Sequence, residues 1–208
     1  TYAMPAPLAN RFSHYELDVS LDDWADWAYR NEIDSRIVAF LRFKPELLFN
    51  FDPLKNAAGE MAFPSPRSWE FAHRAVQKFG EQTDLLRGSL IACVGQVAGI
   101  ECAAFIDSLD RLPDLDAICT GQCVDVPIEI DLQYAVAAAL ASRARTLKNK
   151  PDAKVVWGHI LNYAQSFPQR EMGVMLVSDI HRGIGKDLFT VPQFANWANT
   201  VSELMFYE

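Results

Sequence analysis

Two arginines stand where a positive charge is unfavourable without a partner. Arg11 follows the short turn PAPLAN and precedes a segment with strand character, while Arg67 falls in the first turn of a helix that Ser65 caps and Pro66 begins. The N-terminal end of a helix carries partial positive charge, so an arginine there opposes the helix dipole. This placement indicates a bound anion or a carboxylate partner, and a surface salt bridge is the simpler alternative for each arginine.

The other residues capable of chemistry form no catalytic pattern. The sequence GIGKD at 183–187 lacks the earlier glycine and the following Ser or Thr that a phosphate-binding loop requires, so we interpret it as a helix-ending turn. The four histidines are scattered along the chain. Glu101 lies within an apolar helix, where a carboxylate must be paired or neutralised, and we expect it to form a structural ion pair.

Cysteine spacing argues against a metal centre. The C-x3-C pair at 119 and 123 has no nearby histidine and no second pair at zinc-finger spacing. We interpret all the cysteines as reduced thiols of a cytoplasmic protein and expect no metal site. They are Cys93, Cys102, Cys119 and Cys123.

Charge and hydropathy exclude two classes of partner. The 208-residue chain carries 19 Lys and Arg against 27 Asp and Glu, a formal net charge of -8, without any cluster of cations. This balance argues against nucleic-acid binding. The longest apolar stretch, 94–106, contains Gln96 and Glu101, and no stretch approaches the roughly 20 residues of a membrane span. The N-terminus does not resemble a signal peptide.

Hydrophobic spacing predicts a mainly α fold with one orphan N-terminal strand. Residues 13–19 alternate apolar and polar side chains, which is typical of a strand, but no second segment offers a partner. We therefore expect either an intermolecular partner or a sheet encoded upstream of Thr1. Beyond residue 19 the spacing is helical, and Ser20 and Ser65 cap helices. Other helices are predicted near 34–43, 83–94, 96–110, 132–140, 155–164 and 172–180, with Thr190 capping the last.

Three segments, in this order, resemble MoxR-type AAA+ ATPases. LANRF, at 8–12, is similar to the segment that carries the arginine finger and precedes the last strand of the nucleotide-binding core. AFPSPRSWEF, at 62–71, resembles sensor 2, in which an (S/T)-P-R triplet opens a lid helix. LIACVGQVAGIECAAFI, at 90–106, resembles the lid helices of a bacterial and phage group of these ATPases. The resemblance covers roughly residues 3–120.

The resemblance implies an organisation and a role for each arginine. Residues 1–20 would be the remnant of the nucleotide-binding core, 21–120 a helical-bundle lid and 121–208 a helical C-terminal extension. Arg11 would act as the arginine finger, in trans, on ATP bound by the neighbouring subunit. Arg67 would contact the ATP phosphates in cis as sensor 2.

It also implies cofactors and partners. The intact protein would use ATP and magnesium, assemble as a homo-oligomeric ring and remodel a client protein in the cytoplasm, with no nucleic-acid or membrane partner. The Walker A, Walker B and sensor-1 segments of the family are absent, and the resemblance places them before Thr1. This stretch alone is therefore expected to hold no ATP productively and to be inactive.

The alternative is a nucleotide-independent, all-helical adaptor or protein-interaction domain. It explains the helices, the acidity and the apolar stripes equally well, but neither the strand nor the two arginines. A Walker A loop encoded upstream of Thr1 would favour the ATPase, and a start codon there would favour the adaptor.

Overall fold

The described part of the chain is mainly α-helical, as predicted. A computed structural model describes residues 4–15, 17–54, 61–122 and 124–205, so that Glu16 and Cys123, together with the side chains of residues 202–205, lie outside the description. The α-helices of the described residues, numbered in chain order, are α1 (Ala6–Ala9), α2 (Leu21–Arg30), α3 (Ser35–Phe43), α4 (Pro66–Phe79), α5 (Thr83–Val94), α6 (Gln96–Ser108), α7 (Leu115–Cys119), α8 (Ile130–Thr146), α9 (Ala153–Ala164), α10 (Arg170–Ile184) and α11 (Pro192–Met205). Short 3-10 helices span Pro45–Leu47, Leu109–Arg111 and Gly185–Thr190.

Side-chain caps fix where the first long helices begin. The Ser20 hydroxyl accepts a hydrogen bond from the Asp23 N–H at 3.2 Å, which confirms the predicted cap of α2. Asp34 caps α3 in the same way, since its carboxylate accepts from the Arg36 N–H at 3.0 Å. Each cap satisfies a backbone donor that the first helical turn leaves without a partner.

Two predicted features differ from the structure. The strand over 13–19 is not confirmed: the described residues of this segment, 13–15 and 17–19, form no strand, because no other described segment pairs with them. Thr190 does not cap α11 as predicted. It ends the preceding 3-10 helix, where its hydroxyl donates to the Asp187 carbonyl at 2.7 Å, and α11 begins only at Pro192.

The core is built around α3 and α8. Five consecutive residues of α3, 37–41, are buried, so neighbours surround this helix on every side. The buried face of α8 is rich in alanine, whose small side chain lets helices approach closely, and α8 packs against both α3 and α10. The apolar residues on these helices belong to one hydrophobic cluster that extends from Trp24 to Val191.

The predicted division after residue 120 stays a prediction. The helices on its two sides nevertheless share that cluster: α3 packs on α8, and α2 packs on α10. The N-terminal helices and the predicted extension are therefore in direct contact.

Candidate functional site

The start of α4 is held in one conformation by a reciprocal cap. The Ser65 hydroxyl accepts from the Ser68 N–H at 3.1 Å, while the Ser68 hydroxyl accepts from the Ser65 N–H at 2.8 Å and donates to the Phe63 carbonyl at 3.0 Å. Pro66 occupies the first helical position, where its missing N–H costs nothing. The predicted Ser65 cap is confirmed, and Arg67 follows it directly.

Two tryptophans anchor this helix start to the molecule. The indole of Trp69 is fully buried, donates to the Leu47 carbonyl at 2.8 Å and lies 5.6 Å from the ring of Phe40. The indole N–H of Trp24, on α2, donates to the Pro66 carbonyl at 3.3 Å. The backbone that carries Arg67 is therefore fixed to the core on one side and to α2 on the other.

Arg67 is exposed to solvent and has no acidic partner among the described residues. Its side chain is exposed and borders a shallow groove of about 260 Å³ that Trp24, Trp27, Pro66 and Glu70 also line. Glu70, the nearest acid along α4, pairs with Arg74 at 2.5 Å instead. Among the described residues, the Arg67 guanidinium forms no hydrogen bond or ion pair.

The backbone adds to this positive end of α4. Pro66 has no N–H and the Ser68 N–H is used by the cap, which leaves the Arg67 N–H without an acceptor among the described residues. The unpaired N–H and the guanidinium both lie at the end of the helix where the dipole is positive. This arrangement suits an anion, since both groups donate hydrogen bonds to oxygen.

Arg11 is also exposed but lies in a different setting. It follows α1, and its N–H donates to the Leu8 carbonyl at 3.0 Å in the turn that ends this helix. Its side chain makes no ion pair with any described residue, and no hydrogen bond, ion pair or ring contact joins it to Arg67 within the described part of the chain. The segment that follows is also exposed, with Tyr15 at 84% and Leu17 at 93%.

The remaining sequence candidates have structural roles. Gly185 has φ 73° at the end of α10, which confirms that GIGKD is a helix-ending turn. Glu101 pairs with Lys44 at 3.4 Å, which confirms the expected ion pair. His73 is buried, and its Nδ1 accepts from the Asp34 N–H at 2.9 Å, so this ring supports the start of α3.

The described cysteines are free thiols. Burial raises the pKa of Cys93, Cys102 and Cys119, so their reactive thiolate forms are disfavoured. The prediction for Cys123 falls outside the described residues.

An ionic network centred on the buried Asp179 joins α2, α3 and α10, and sequence reasoning missed it. Asp179, 3% exposed, accepts from the Tyr29 hydroxyl at 2.7 Å and from Arg42 at 2.6 Å. Arg42 also donates to Asp22 at 2.7 Å, and Arg182 contacts Asp22 at 3.1 Å. Burial raises the pKa of Asp179, although Arg42 and the Tyr29 hydroxyl act in the opposite direction. The residues of this network lie far apart in the sequence, so no local sequence pattern indicates that they are in contact.

Comparisons with protein-family models, curated proteins and solved structures return no match. In the described ranges, no group of three or more His, Cys, Asp or Glu side chains is arranged to hold a metal ion. Across the same residues, no α-helix combines the length and apolar character needed to cross a bilayer. The functional argument therefore depends on the side chains themselves.

Proposed function

We propose that this chain is the lid and C-terminal portion of a MoxR-type AAA+ ATPase, which couples ATP binding and hydrolysis to remodelling of a partner protein. In this proposal Arg67 is sensor 2 and contacts the ATP phosphates in cis. Arg11 is the arginine finger and acts in trans. The intact protein works as a homo-oligomeric ring in the cytoplasm, with ATP and magnesium as cofactors.

The observation that carries the proposal is the unpaired guanidinium at the start of α4. Arg67 lies on a helix start fixed by a capping box and by Trp24 and Trp69, yet no described acid neutralises it. A rigid backbone with an uncompensated cation is what a phosphate-contacting residue requires, because catalysis of phosphoryl transfer depends mainly on positioning and charge stabilisation. The guanidinium and the neighbouring free N–H fit phosphate oxygens.

Arg11 fits a role in trans because it faces solvent from a short turn. An exposed arginine without an acid partner is available to a second subunit. Its planar guanidinium can donate two parallel hydrogen bonds to phosphate oxygens. Such a residue is typically worth about 10³–10⁵ in hydrolysis rate.

Arg67→Ala in the intact protein tests the proposal. We expect nucleotide affinity, measured with a fluorescent ATP analogue, to fall about tenfold or more, because a charge-assisted hydrogen bond is lost. Arg67→Lys should recover part of this loss, since it keeps the charge but not the planar fork.

Arg87→Ala is the matched control, because Arg87 is an exposed arginine on α5 that pairs with no described residue. Its affinity and turnover should equal those of the wild type. If Arg67→Ala also retains wild-type affinity and turnover, the sensor-2 assignment of Arg67 is wrong. If the intact wild-type protein neither binds nor hydrolyses ATP, the ATPase assignment is wrong and the nucleotide-independent adaptor is the better interpretation.

A further inference from the structure

A second groove lies away from the Arg67 groove, between the α2–α3 junction and α8. It encloses about 980 Å³, and Arg30, Arg36 and Arg145 contribute to its wall. Gln77, Ser142 and Asn149 also line it and can hydrogen-bond a peptide main chain. The remaining wall includes two acids, Glu32 and Asp34, and apolar side chains such as Leu109 and Leu112. Small-molecule pockets are mostly apolar, so this wide, polar groove suits an extended segment better than a compact ligand.

Arg145 is the exceptional residue of this groove. Its side-chain stem packs against Gly183 of α10, where an added Cβ would lie 3.2 Å from the Arg145 Cδ. Its guanidinium lies over the ring of Tyr29, 5.3 Å from the centroid. No described residue accepts a hydrogen bond from this guanidinium, and its Nη1 is shielded from solvent. Burial lowers the pKa of Arg145, although Tyr29 and Glu32 act in the opposite direction.

Other partly buried arginines of the chain do hold carboxylates. Arg36 binds Asp34 through two nitrogens at 2.8 and 2.9 Å, and Arg42 binds Asp179 at 2.6 Å. In the groove, the Asp34 carboxylate is thus already paired with Arg36. The charge of Glu32 acts on Arg145 from a distance, but no ion pair joins these two described residues. Partial burial of a cation without an ion-pair partner costs free energy. A carboxylate supplied by a bound ligand would lower this cost at Arg145.

We propose that this groove binds an acidic peptide segment of a partner protein, with one of its carboxylates pairing with Arg145. Arg30, exposed at the end of α2, adds a second positive charge for a neighbouring acidic side chain. The polar lining side chains hydrogen-bond the peptide main chain. The inference does not depend on nucleotide binding and can hold whether or not the chain belongs to an ATPase.

The test uses the purified 208-residue chain and a fluorescein-labelled peptide of alternating Glu and Ser, with binding followed by fluorescence anisotropy. We expect saturable binding that weakens as salt rises, because the contact is electrostatic. The same peptide with Gln in place of Glu should bind at least tenfold more weakly. Equal binding of the two peptides, or binding of neither, would overturn the proposal.

Variants locate the site. Arg145→Gln should weaken binding of the Glu peptide at least tenfold. Arg143→Gln is the control, because Arg143 lies on the same helix but pairs with Asp116 instead of lining the groove. Its affinity should be that of the wild type. Equal effects of the two variants would overturn the assignment to this groove.

A stability measurement separates binding from a structural role. Arg145→Met keeps the packing of the stem on Gly183 but removes the guanidinium, and with it both the unpaired hydrogen-bond donors and the contact with the Tyr29 ring. We expect its midpoint of urea unfolding to equal or exceed that of the wild type while peptide binding is lost. A lower midpoint with unchanged peptide affinity would show that Arg145 is structural and overturn the proposal.

A competition experiment tests whether the ligand must be a peptide. If an equal concentration of succinate displaces the labelled Glu peptide from the chain, the choice of a peptide as the ligand is overturned.

Discussion

Glu32 adopts a backbone conformation that suits glycine better. Its φ is 55° at the position after Asn31, the residue that caps the C-terminus of α2, and the Ile33 N–H donates to the Ala28 carbonyl at 2.9 Å. This hydrogen bond is that of a Schellman motif, which places the residue before Ile33 in the left-handed region. A side chain with a Cβ is strained there, and glycine is not.

We therefore expect Glu32→Gly to raise the free energy of unfolding by about 0.5–1 kcal/mol, after allowing for the greater freedom of glycine in the unfolded chain. Urea denaturation of the purified chain measures this. Glu32→Ala serves as the control, because it removes the carboxylate but keeps the strained Cβ, and it should show no comparable gain. An equal gain in both variants would mean that charge, and not backbone strain, is the cause.

At the scale of elements, the network around Asp179 connects α10 to α2 and α3. Removing Arg42 would leave the Asp179 carboxylate, 3% exposed, with only the more distant Arg182 guanidinium, at 3.7 Å, as a described cation partner. We expect Arg42→Met to lower the free energy of unfolding by about 3 kcal/mol, the lower end of the range for breaking a buried pair, because Arg182 still compensates part of the Asp179 charge. The double variant with Asp179→Leu should recover part of this loss, because neither charge remains.

Arg111→Met is the comparison, because Arg111 forms an exposed pair with Glu129 at 3.0 Å. Exposed pairs contribute about 0–1 kcal/mol, so its effect on urea unfolding should be small. If Arg42→Met and Arg111→Met cost the same, the network does not hold these helices together.

Asp34, which caps α3, should make the free energy of unfolding depend on pH in the acidic range. Burial acts to raise the pKa of Asp34, but the hydrogen bonds from Arg36 outweigh it, and the pKa lies below its ordinary value. The folded protein then binds a proton less readily than the unfolded chain. The resulting stabilisation is fully present above the unfolded pKa of about 3.9 and is lost as the pH falls through the lower, folded value.

Asp34→Asn tests this, because asparagine keeps the helix cap and removes the charge. We expect it to cost about 1 kcal/mol in free energy of unfolding at neutral pH. The difference from the wild type should shrink below about pH 4. A difference that stays constant from neutral pH to pH 3 would show that the charge of Asp34 contributes nothing.

The features that the sequence predicts correctly are those set by residues close together in the chain. The cap at Ser65, the proline after it and the glycine at 185 act within one turn of chain, so helix boundaries and the display of Arg67 follow from neighbouring residues. Long-range packing accounts for the rest. The contacts of Asp179 and Arg145 join residues on separate helices, and the strand at 13–19 would need a partner segment that local alternation cannot supply.

At the scale of the whole molecule, the structure couples Arg67 to the core. The indole of Trp69 fixes α4 through its hydrogen bond to the Leu47 carbonyl. The indole of Trp24 connects the same helix start to α2 through its hydrogen bond to the Pro66 carbonyl. The helices α2, α3 and α8 in turn share one hydrophobic cluster. If the proposed ATPase displaces Arg67 on nucleotide hydrolysis, these helices should move together, since a densely packed core transmits strain instead of absorbing it.

The ring proposed for the intact protein predicts opposite behaviour for the two arginines. Arg11→Ala should leave ATP binding near the wild-type value and lower hydrolysis about 10³-fold or more, because an arginine finger acts mainly on charge that develops in the transition state. Mixed with subunits that lack a functional Walker B, it should regain activity: at hybrid interfaces, ATP held by the Arg11→Ala subunit meets Arg11 of its neighbour.

Arg67→Ala in the same mixture provides the control. Its defect and the Walker B defect each lie within the subunit that binds the nucleotide, so no interface is complete and activity should not return. Turnover measured over a range of mixing ratios distinguishes the two patterns. Wild-type turnover of Arg11→Ala alone would eliminate the arginine-finger assignment, and loss of activity without recovery in the mixture would mean that Arg11 acts within its own subunit.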